Sequence, residues 1–172
     1  MAAARLLARL SALVSRATAA LCVAIIFVML GLLAAQVFLR YAFGAPPSWT
    51  EEAAIMLCAW LVLLYATVGV RERFHVAIDL LPAGAVRVRR ISDRLVGLVI
   101  AGFGGTLLWA GWIYVERTGG QRSAALQAPI EVLHAAAPVC GALLAFHGLA
   151  LALAPAGDLD RDSPKADQVP LP

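Results

Sequence analysis

The sequence contains few charged residues. Only 15% of its 172 residues are charged, against about 25% in an average soluble domain, and 62% are hydrophobic. Four stretches contain no Asp, Glu, Lys or Arg: residues 17–39, 53–70, 95–115 and 132–154. A helix needs roughly 20 apolar residues to cross the hydrocarbon core of a bilayer. The sequence therefore predicts an all-α integral membrane protein with four transmembrane helices.

Cysteine and histidine are also scarce. None of the three cysteines belongs to a CxxC pair, which argues against a disulfide framework, a zinc site and a redox enzyme. His134 and His147 are about 19.5 Å apart along one predicted helix, too far to share a haem or a metal ion, and His75 falls on the opposite side from His134. The sequence shows no stripe of basic residues on a soluble surface of the kind that binds nucleic acid. We therefore expect a non-enzyme without cofactor, metal or nucleic acid.

Carboxylates are missing from the middle of every uncharged stretch. A small multidrug exporter, which also has four helices, would need one midway along the first stretch. Proton or substrate coupling inside a membrane usually requires a buried ionisable side chain, and a complete carrier usually shows inverted repeats with broken helices. The chain alone is thus more typical of a membrane scaffold. An alternative is an orphan structural or assembly protein with four helices. Only the identity of the partner protein would distinguish it from a subunit of a larger membrane complex.

The basic residues predict the orientation. The two termini and the second loop, which lie on one side of the predicted membrane, contain eleven Lys and Arg, and the first and third loops contain three. Because Lys and Arg are enriched in cytoplasmic loops, both termini should be cytoplasmic. The first apolar run is longer than the 7–15 residues of a signal-peptide core, which predicts a retained helix. We expect a cytoplasmic N-terminal segment (1–16), a four-helix membrane domain (17–154) and a disordered cytoplasmic tail (155–172).

Residues 76–95, between the second and third predicted helices, have a basic amphipathic pattern. Arg87, Arg90 and Arg94 recur on one helical face, and apolar residues recur on another. This pattern predicts a segment lying at the headgroup interface, in two short pieces because Pro82 and Gly84 interrupt it. The alternative is a cytoplasmic extension of the third helix.

Small residues predict where helices pack. The third stretch has a row at Gly97, Ala101 and Gly105, and the fourth has one at 137, 141 and 145. Small residues at a spacing of four allow two helix backbones to approach closely in lipid.

The loop after the first helix carries the most informative side chains. Gly44, Pro46 and Pro47 predict a turn. Tyr41 and Trp49 suit an aromatic belt, and Ser48 or Thr50 could cap the second helix. Because Arg40 ends one crossing and two glutamates begin the next, we expect Arg40 to pair with Glu52, with Glu51 as the second candidate.

The order of these residues resembles a known family. Arg40-Tyr41 is followed by Trp49-Thr50-Glu51-Glu52, and then by His75-Val76-Ala77-Ile78-Asp79 after the second helix. This series is similar to that of the small permease subunit of TRAP (tripartite ATP-independent periplasmic) transporters, the DctQ-type family. Weaker matches lie at 121–126 and 138–141. Two departures, Arg73-Phe74 and Ser123-Ala124-Ala125, concern local turns.

The resemblance implies a partner protein. A small permease would support a large membrane subunit that takes up an organic acid or similar solute with sodium, after a periplasmic solute-binding protein delivers it. The host membrane would be the cytoplasmic (inner) membrane of a bacterium or archaeon, with lipid around the multi-pass chain. The residues expected to have structural or partner-contact roles are Arg40, Tyr41, Trp49, Glu51, Glu52, His75 and Asp79.

Overall fold

The computed structural model describes residues 2–44, 47–72 and 86–153, with side chains in 6–44, 47–72 and 91–153. Within these residues the secondary structure is helical apart from turns and one isolated β-bridge. The helices are α1 (Ala2–Phe43), α2 (Trp49–Arg71), α3 (Val86–Arg117), α4 (Glu131–His134) and α5 (Ala136–Leu153). Four spans are long and apolar enough to cross a membrane: Leu6–Phe43, Trp49–Arg71, Ile91–Arg117 and Glu131–Leu153. The predicted all-α fold with four membrane helices is confirmed.

The fourth span is interrupted once, near its start. Ala135 separates α4 from α5, although its backbone torsions are helical (φ −61°, ψ −19°). Pro138 lies three residues further on and has no N–H to donate to the carbonyl of His134. The missing hydrogen bond accounts for an interruption at this point.

Helix α5 is the centre of the bundle. It packs against α1, α2 and α3, and α1 also packs along α2. Within the described residues, α3 contacts only α4 and α5. The bundle is therefore open, with α3 attached at one edge through α5.

The α3–α5 contact is a seam of glycines. Gly97, Gly104 and Gly111 recur every seven residues on α3, and each faces the α5 backbone. A β-carbon on Gly104 would lie 2.7 Å from the carbonyl oxygen of Gly141, and one on Gly97 would lie 2.8 Å from that of Gly148. The two backbones are close enough that no side chain fits between them.

The predicted small-residue rows were partly wrong. Gly97 and Ala101 lie on the seam, but a β-carbon on Gly105 would meet no atom within 4 Å, whereas one on its neighbour Gly104 would collide with α5. A seven-residue repeat stays on one side of two helices that cross at a shallow angle, while a repeat of four drifts round the helix. The row predicted on the fourth span, Ala137, Gly141 and Ala145, lies against α3.

Helix α1 buries only a narrow stripe. Among residues 6–43 of this helix, the buried side chains are Ser11, Ser15, Thr18, Cys22 and Gln36. The first four follow a spacing of four, three and four residues, so they share one face. Ser11 Oγ lies 2.8 Å from His147 Nδ1 on α5, and His147 is only 2% exposed. His147 is thus an interior residue.

The predicted segment boundaries can be compared with the helices only in part. Helix α1 runs without a break across the expected boundary at residue 17. Residues 86–95 belong to continuous α3, which for this part agrees with a helix extension. Residues 76–85 of the expected interfacial segment, and the expected tail at 155–172, lie outside the described residues.

Candidate functional site

The α1–α2 connection and the α3–α4 connection lie at the same end of the bundle, which we call the hairpin end. Helix α1 ends with Gly44, whose φ of +66° suits glycine and whose N–H donates to the Arg40 carbonyl (3.1 Å). Helix α2 begins after Ser48, which makes no side-chain cap. The Thr50 hydroxyl donates to the Pro47 carbonyl instead (2.7 Å). These contacts define the end of α1 and the start of α2.

The ion pair at this end joins Arg40 to Glu51, not to Glu52. The guanidinium nitrogen of Arg40 lies 3.6 Å from Glu51 Oε1, and the two side chains are 51% and 67% exposed. Gln36 Nε2 donates to the same oxygen (3.0 Å) from one turn earlier on α1. The predicted Arg40–Glu52 pair was therefore wrong, because Glu52 is directed towards a different partner.

Glu52 binds the backbone of the α3–α4 connection. Its two carboxylate oxygens accept hydrogen bonds from the N–H groups of Ala124 (3.1 Å), Ala125 (2.9 Å) and Leu126 (2.7 Å). Three successive N–H groups form a concave anion site, and hydrogen bonds to a carboxylate are stronger than neutral ones. Glu52 thereby ties the start of α2 to a loop more than 70 residues away in sequence.

We call residues 121–130, beyond the ends of α3 and α4, the outer hairpin. Its two arms are joined by hydrogen bonds from Ser123 N to Ala128 O (2.9 Å) and from Ile130 N to Gln121 O (3.0 Å). At the tip, Gln127 has a positive φ of 54°, which is unfavourable outside glycine. The Arg122 guanidinium donates to the Gln127 carbonyl (3.1 Å). Internal bonds and Glu52 together hold the loop in one shape.

The base of the outer hairpin is held by α4. Glu131 Oε1 accepts the Gly120 N–H (2.6 Å), and His134 Nδ1 lies 2.8 Å from the Thr118 hydroxyl. Trp60 on α2 donates its indole N–H to the Val132 carbonyl (2.9 Å). These bonds connect α4 to α2 and to the turn that follows α3.

The other predicted site residues are placed differently. Tyr41 is 83% exposed, and Trp49, at the first position of α2, is also exposed. Both positions fit the interfacial role predicted for them, which remains a prediction. His75 and Asp79 lie outside the described residues.

Two sets of polar groups at the hairpin end were not identified from the sequence. Gln36 lies inside an uncharged stretch, and its only signal was being the single amide in an apolar helix. The three N–H groups that bind Glu52 belong to residues 124–126, two of them alanines, and the weak family resemblance at 121–126 did not indicate that they bind a carboxylate. A backbone site is created by loop conformation, which residue types alone do not specify.

The arrangement is suited to holding elements together. In the part of the chain that the structure describes, no three His, Cys, Asp or Glu side chains are grouped to hold a metal ion. The described carboxylates at the hairpin end have partners: Glu51 has Gln36 and Arg40, Glu52 has the outer hairpin, Glu116 has Trp112, and Glu131 has Gly120.

Comparison with known protein families decides the assignment. The family model for the DctQ component of tripartite ATP-independent periplasmic transporters matches residues 29–156, about three quarters of the chain. The chain belongs to the DctQ family. This family is a family of transporter subunits, and the resemblance inferred from Arg40-Tyr41 and Trp49–Glu52 is confirmed. The multi-pass membrane fold agrees with it.

Three relatives show how far the similarity extends. The C4-dicarboxylate TRAP transporter small permease protein DctQ of Vibrio cholerae is 31% identical over 81 residues, covering 46% of this chain and 35% of the relative. A putative TRAP transporter small permease protein of Haemophilus influenzae is 32% identical over 88 residues, covering 48% and 55%. The sialic acid TRAP transporter permease protein SiaT of Haemophilus influenzae is 34% identical over 71 residues, covering 41% and 12%. The matched region is therefore about half or less of each relative.

Proposed function

We propose that this DctQ-family chain is the small membrane subunit of a sodium-coupled TRAP transporter. It would support a large permease subunit, and a periplasmic solute-binding protein would deliver an organic acid or similar solute to the pair. Sodium coupling, solute class and both partners are parts of this proposal.

One observation carries the supporting role. The middle of each described span holds no Asp, Glu, Lys or Arg, and the carboxylates at the hairpin end are already engaged. Charged solutes and coupled ions usually require ionisable groups or broken helices near the midplane. The chain offers rigid helices in their place, so the transport site is expected on another polypeptide.

A large partner is supported by one relative. The 71 residues that match the SiaT permease are only 12% of that protein, so a segment similar to this chain is part of a much longer polypeptide there. Covalent union in one protein favours physical association of the corresponding separate chains. A large TRAP permease is accordingly the partner we propose.

The outer hairpin supports a docking role. Its backbone is fixed by Glu52 and by its own hydrogen bonds, and Gln121, Arg122 and Gln127 are exposed on it. A preformed loop loses little conformational entropy on binding. We expect the solute-binding protein to contact this loop.

The test is reconstitution in liposomes with a sodium gradient. The chain alone should take up no solute, the chain with its co-purifying large permease should take up solute when the binding protein is added, and the large permease without this chain should be inactive. Uptake by the chain alone would exclude the supporting role. Full uptake by the large permease without it would exclude a need for the subunit.

Orientation is tested at the two ends of α2. In a background in which the native cysteines are replaced by alanine, we expect Ser48→Cys to react with an impermeant maleimide outside intact cells and Glu72→Cys to remain unlabelled. Both positions are exposed. The reverse pattern would show that the termini are outside.

A further inference from the structure

His147 is a buried titratable side chain that the proposed function does not use. It is 2% exposed, and its Nδ1 lies 2.8 Å from the hydroxyl oxygen of Ser11 on α1. Its other ring nitrogen, Nε2, is buried and has no hydrogen-bond partner among the described residues. A buried polar atom without a partner is costly and requires an explanation. The ring is held by one polar contact, and that contact joins α1 to α5.

The surroundings of this ring suit a neutral imidazole. From α1 the ring meets the uncharged Ser11, and from α2 the positive charge of Arg71 acts on it. Helix α3 places backbone atoms of Gly97 and Ala101 against the adjacent Gly148, and α5 itself contains no Asp, Glu, Lys or Arg. A protonated ring donates from both nitrogens, but Nε2 has no acceptor. Protonation would therefore bury a charge without a partner, which is strongly unfavourable.

The half of α1 that meets this ring is attached by small side chains. We call residues 6–22 of α1 the arm. Its buried side chains are Ser11, Ser15, Thr18 and Cys22, and no side chain is buried from residue 23 to residue 35. Small side chains bring few atoms into contact, so each contributes little packing energy. The arm can separate from the bundle without breaking a large apolar core.

Water is available to the ring once the arm has moved away. Arg71 is the last residue of α2, at the end opposite the hairpin end, and it is partly exposed. Since its charge acts on His147, the ring lies near this end of the bundle. A proton can therefore reach Nε2 from the adjacent aqueous phase when the arm is open.

We propose that protonation of His147 releases the arm from the bundle, which makes the arm an acid-sensitive element. The neutral ring holds the arm through Ser11, and the protonated ring requires the open form, in which water solvates Nε2. Because the docked form excludes the proton, acid favours the open form. Histidine in water titrates at about pH 6.5, so each pH unit below this value should raise the ratio of open to docked arms by up to about tenfold. The inference does not depend on the proposed transport function.

The test measures the distance between α1 and α5 in the purified full-length chain by electron paramagnetic resonance. Spin labels are attached at Leu13→Cys and Leu149→Cys, two exposed positions, in a background in which the native cysteines are replaced by alanine. Between about pH 7.5 and about pH 4.5 we expect a longer distance to become populated, with up to about a hundredfold rise in the open-to-docked ratio. His147→Gln, which keeps a hydrogen-bonding side chain but does not titrate, should show no response to pH. Unchanged distances with His147 present, or an equal response in His147→Gln, would overturn the proposal.

A second pair of labels excludes general unfolding in acid. Leu98→Cys on α3 and Leu149→Cys on α5 are both exposed and lie on the two helices of the glycine seam. Their distance should stay constant, and a parallel change in this pair would overturn the proposal.

Arg71→Gln decides the matter if His147→Gln is already open at neutral pH. This substitution removes the positive charge that acts on the ring, so the docked form tolerates a proton better and the response to acid should become smaller. A response of the same size in Arg71→Gln would overturn the proposal.

Discussion

The two helix pairs of this chain are held together in different ways. Helices α3 and α5 meet along a seam of glycines, with backbone against backbone. Helices α1 and α2 are joined by polar side chains at the hairpin end, where Gln36 and Arg40 both contact Glu51. The α3–α5 contact requires that glycine has no side chain, whereas the α1–α2 contact requires particular polar side chains. Substitutions should therefore act in opposite ways in the two pairs.

The largest expected effect is at the seam. Gly104→Ala places a methyl group against the α5 backbone, which cannot move aside as a flexible side chain could. We expect a loss of about 1–3 kcal/mol in unfolding free energy, the usual cost of overpacking. Unfolding of the purified chain in mixed micelles by a denaturing detergent measures it.

The adjacent Gly105→Ala is the control, because the added methyl group meets open space. It should be neutral, or stabilising by up to about 1 kcal/mol through the higher helix propensity of alanine. Equal effects of the two substitutions would refute the register of the seam.

The second effect is at Glu52. Glu52→Gln leaves only one acceptor oxygen for the three N–H groups of Ala124, Ala125 and Leu126. We expect their amide hydrogen exchange to become at least tenfold faster while the helices keep their protection. Glu51→Gln, one residue away, should leave these amides unchanged. A loop that is equally protected in all three proteins would show that Glu52 does not hold it.

The third effect concerns Ser11 and His147. Removing the hydroxyl in Ser11→Ala leaves His147 Nδ1 without its partner, while Nε2 already has none among the described residues. Hydrogen bonds between membrane helices average about 0.6 kcal/mol and reach about 1.7 kcal/mol. A double-mutant cycle with His147→Leu should give a coupling energy in this range. A coupling of zero would mean that the contact contributes nothing to stability.

The smallest effect is at Arg40. The Arg40–Glu51 pair is long and half exposed, and such pairs contribute about 0–1 kcal/mol. Arg40→Glu should cost little, and high salt should reduce the cost further. The swap with Glu51→Arg should recover the loss, whereas the swap with Glu52→Arg should add damage because it also releases the outer hairpin. Recovery by the Glu52 swap alone would favour the pair first predicted.

The sequence predicted what depends on composition and missed what depends on conformation. Four uncharged stretches were sufficient to predict four spans, since burying charge in lipid is costly. Gly104 and Gly105 are chemically identical neighbours, so only the crossing of α3 and α5 distinguishes them. Likewise, Glu51 and Glu52 both begin α2, and which one meets Arg40 depends on a helical rotation of about 100° per residue. The amides that bind Glu52 exist as a site only after the outer hairpin has folded.

The glycine seam has a consequence for the thermodynamics of the bundle. Most helix contacts immobilise side chains, and each immobilised rotamer opposes association through lost entropy. Glycine and alanine have no such rotamers, so α3 and α5 can associate without this opposing term. The free energy of the α3–α5 contact should therefore change little on warming. The two helices should move together as one rigid body. Thermal loosening is then expected to begin on the α1 side of the bundle.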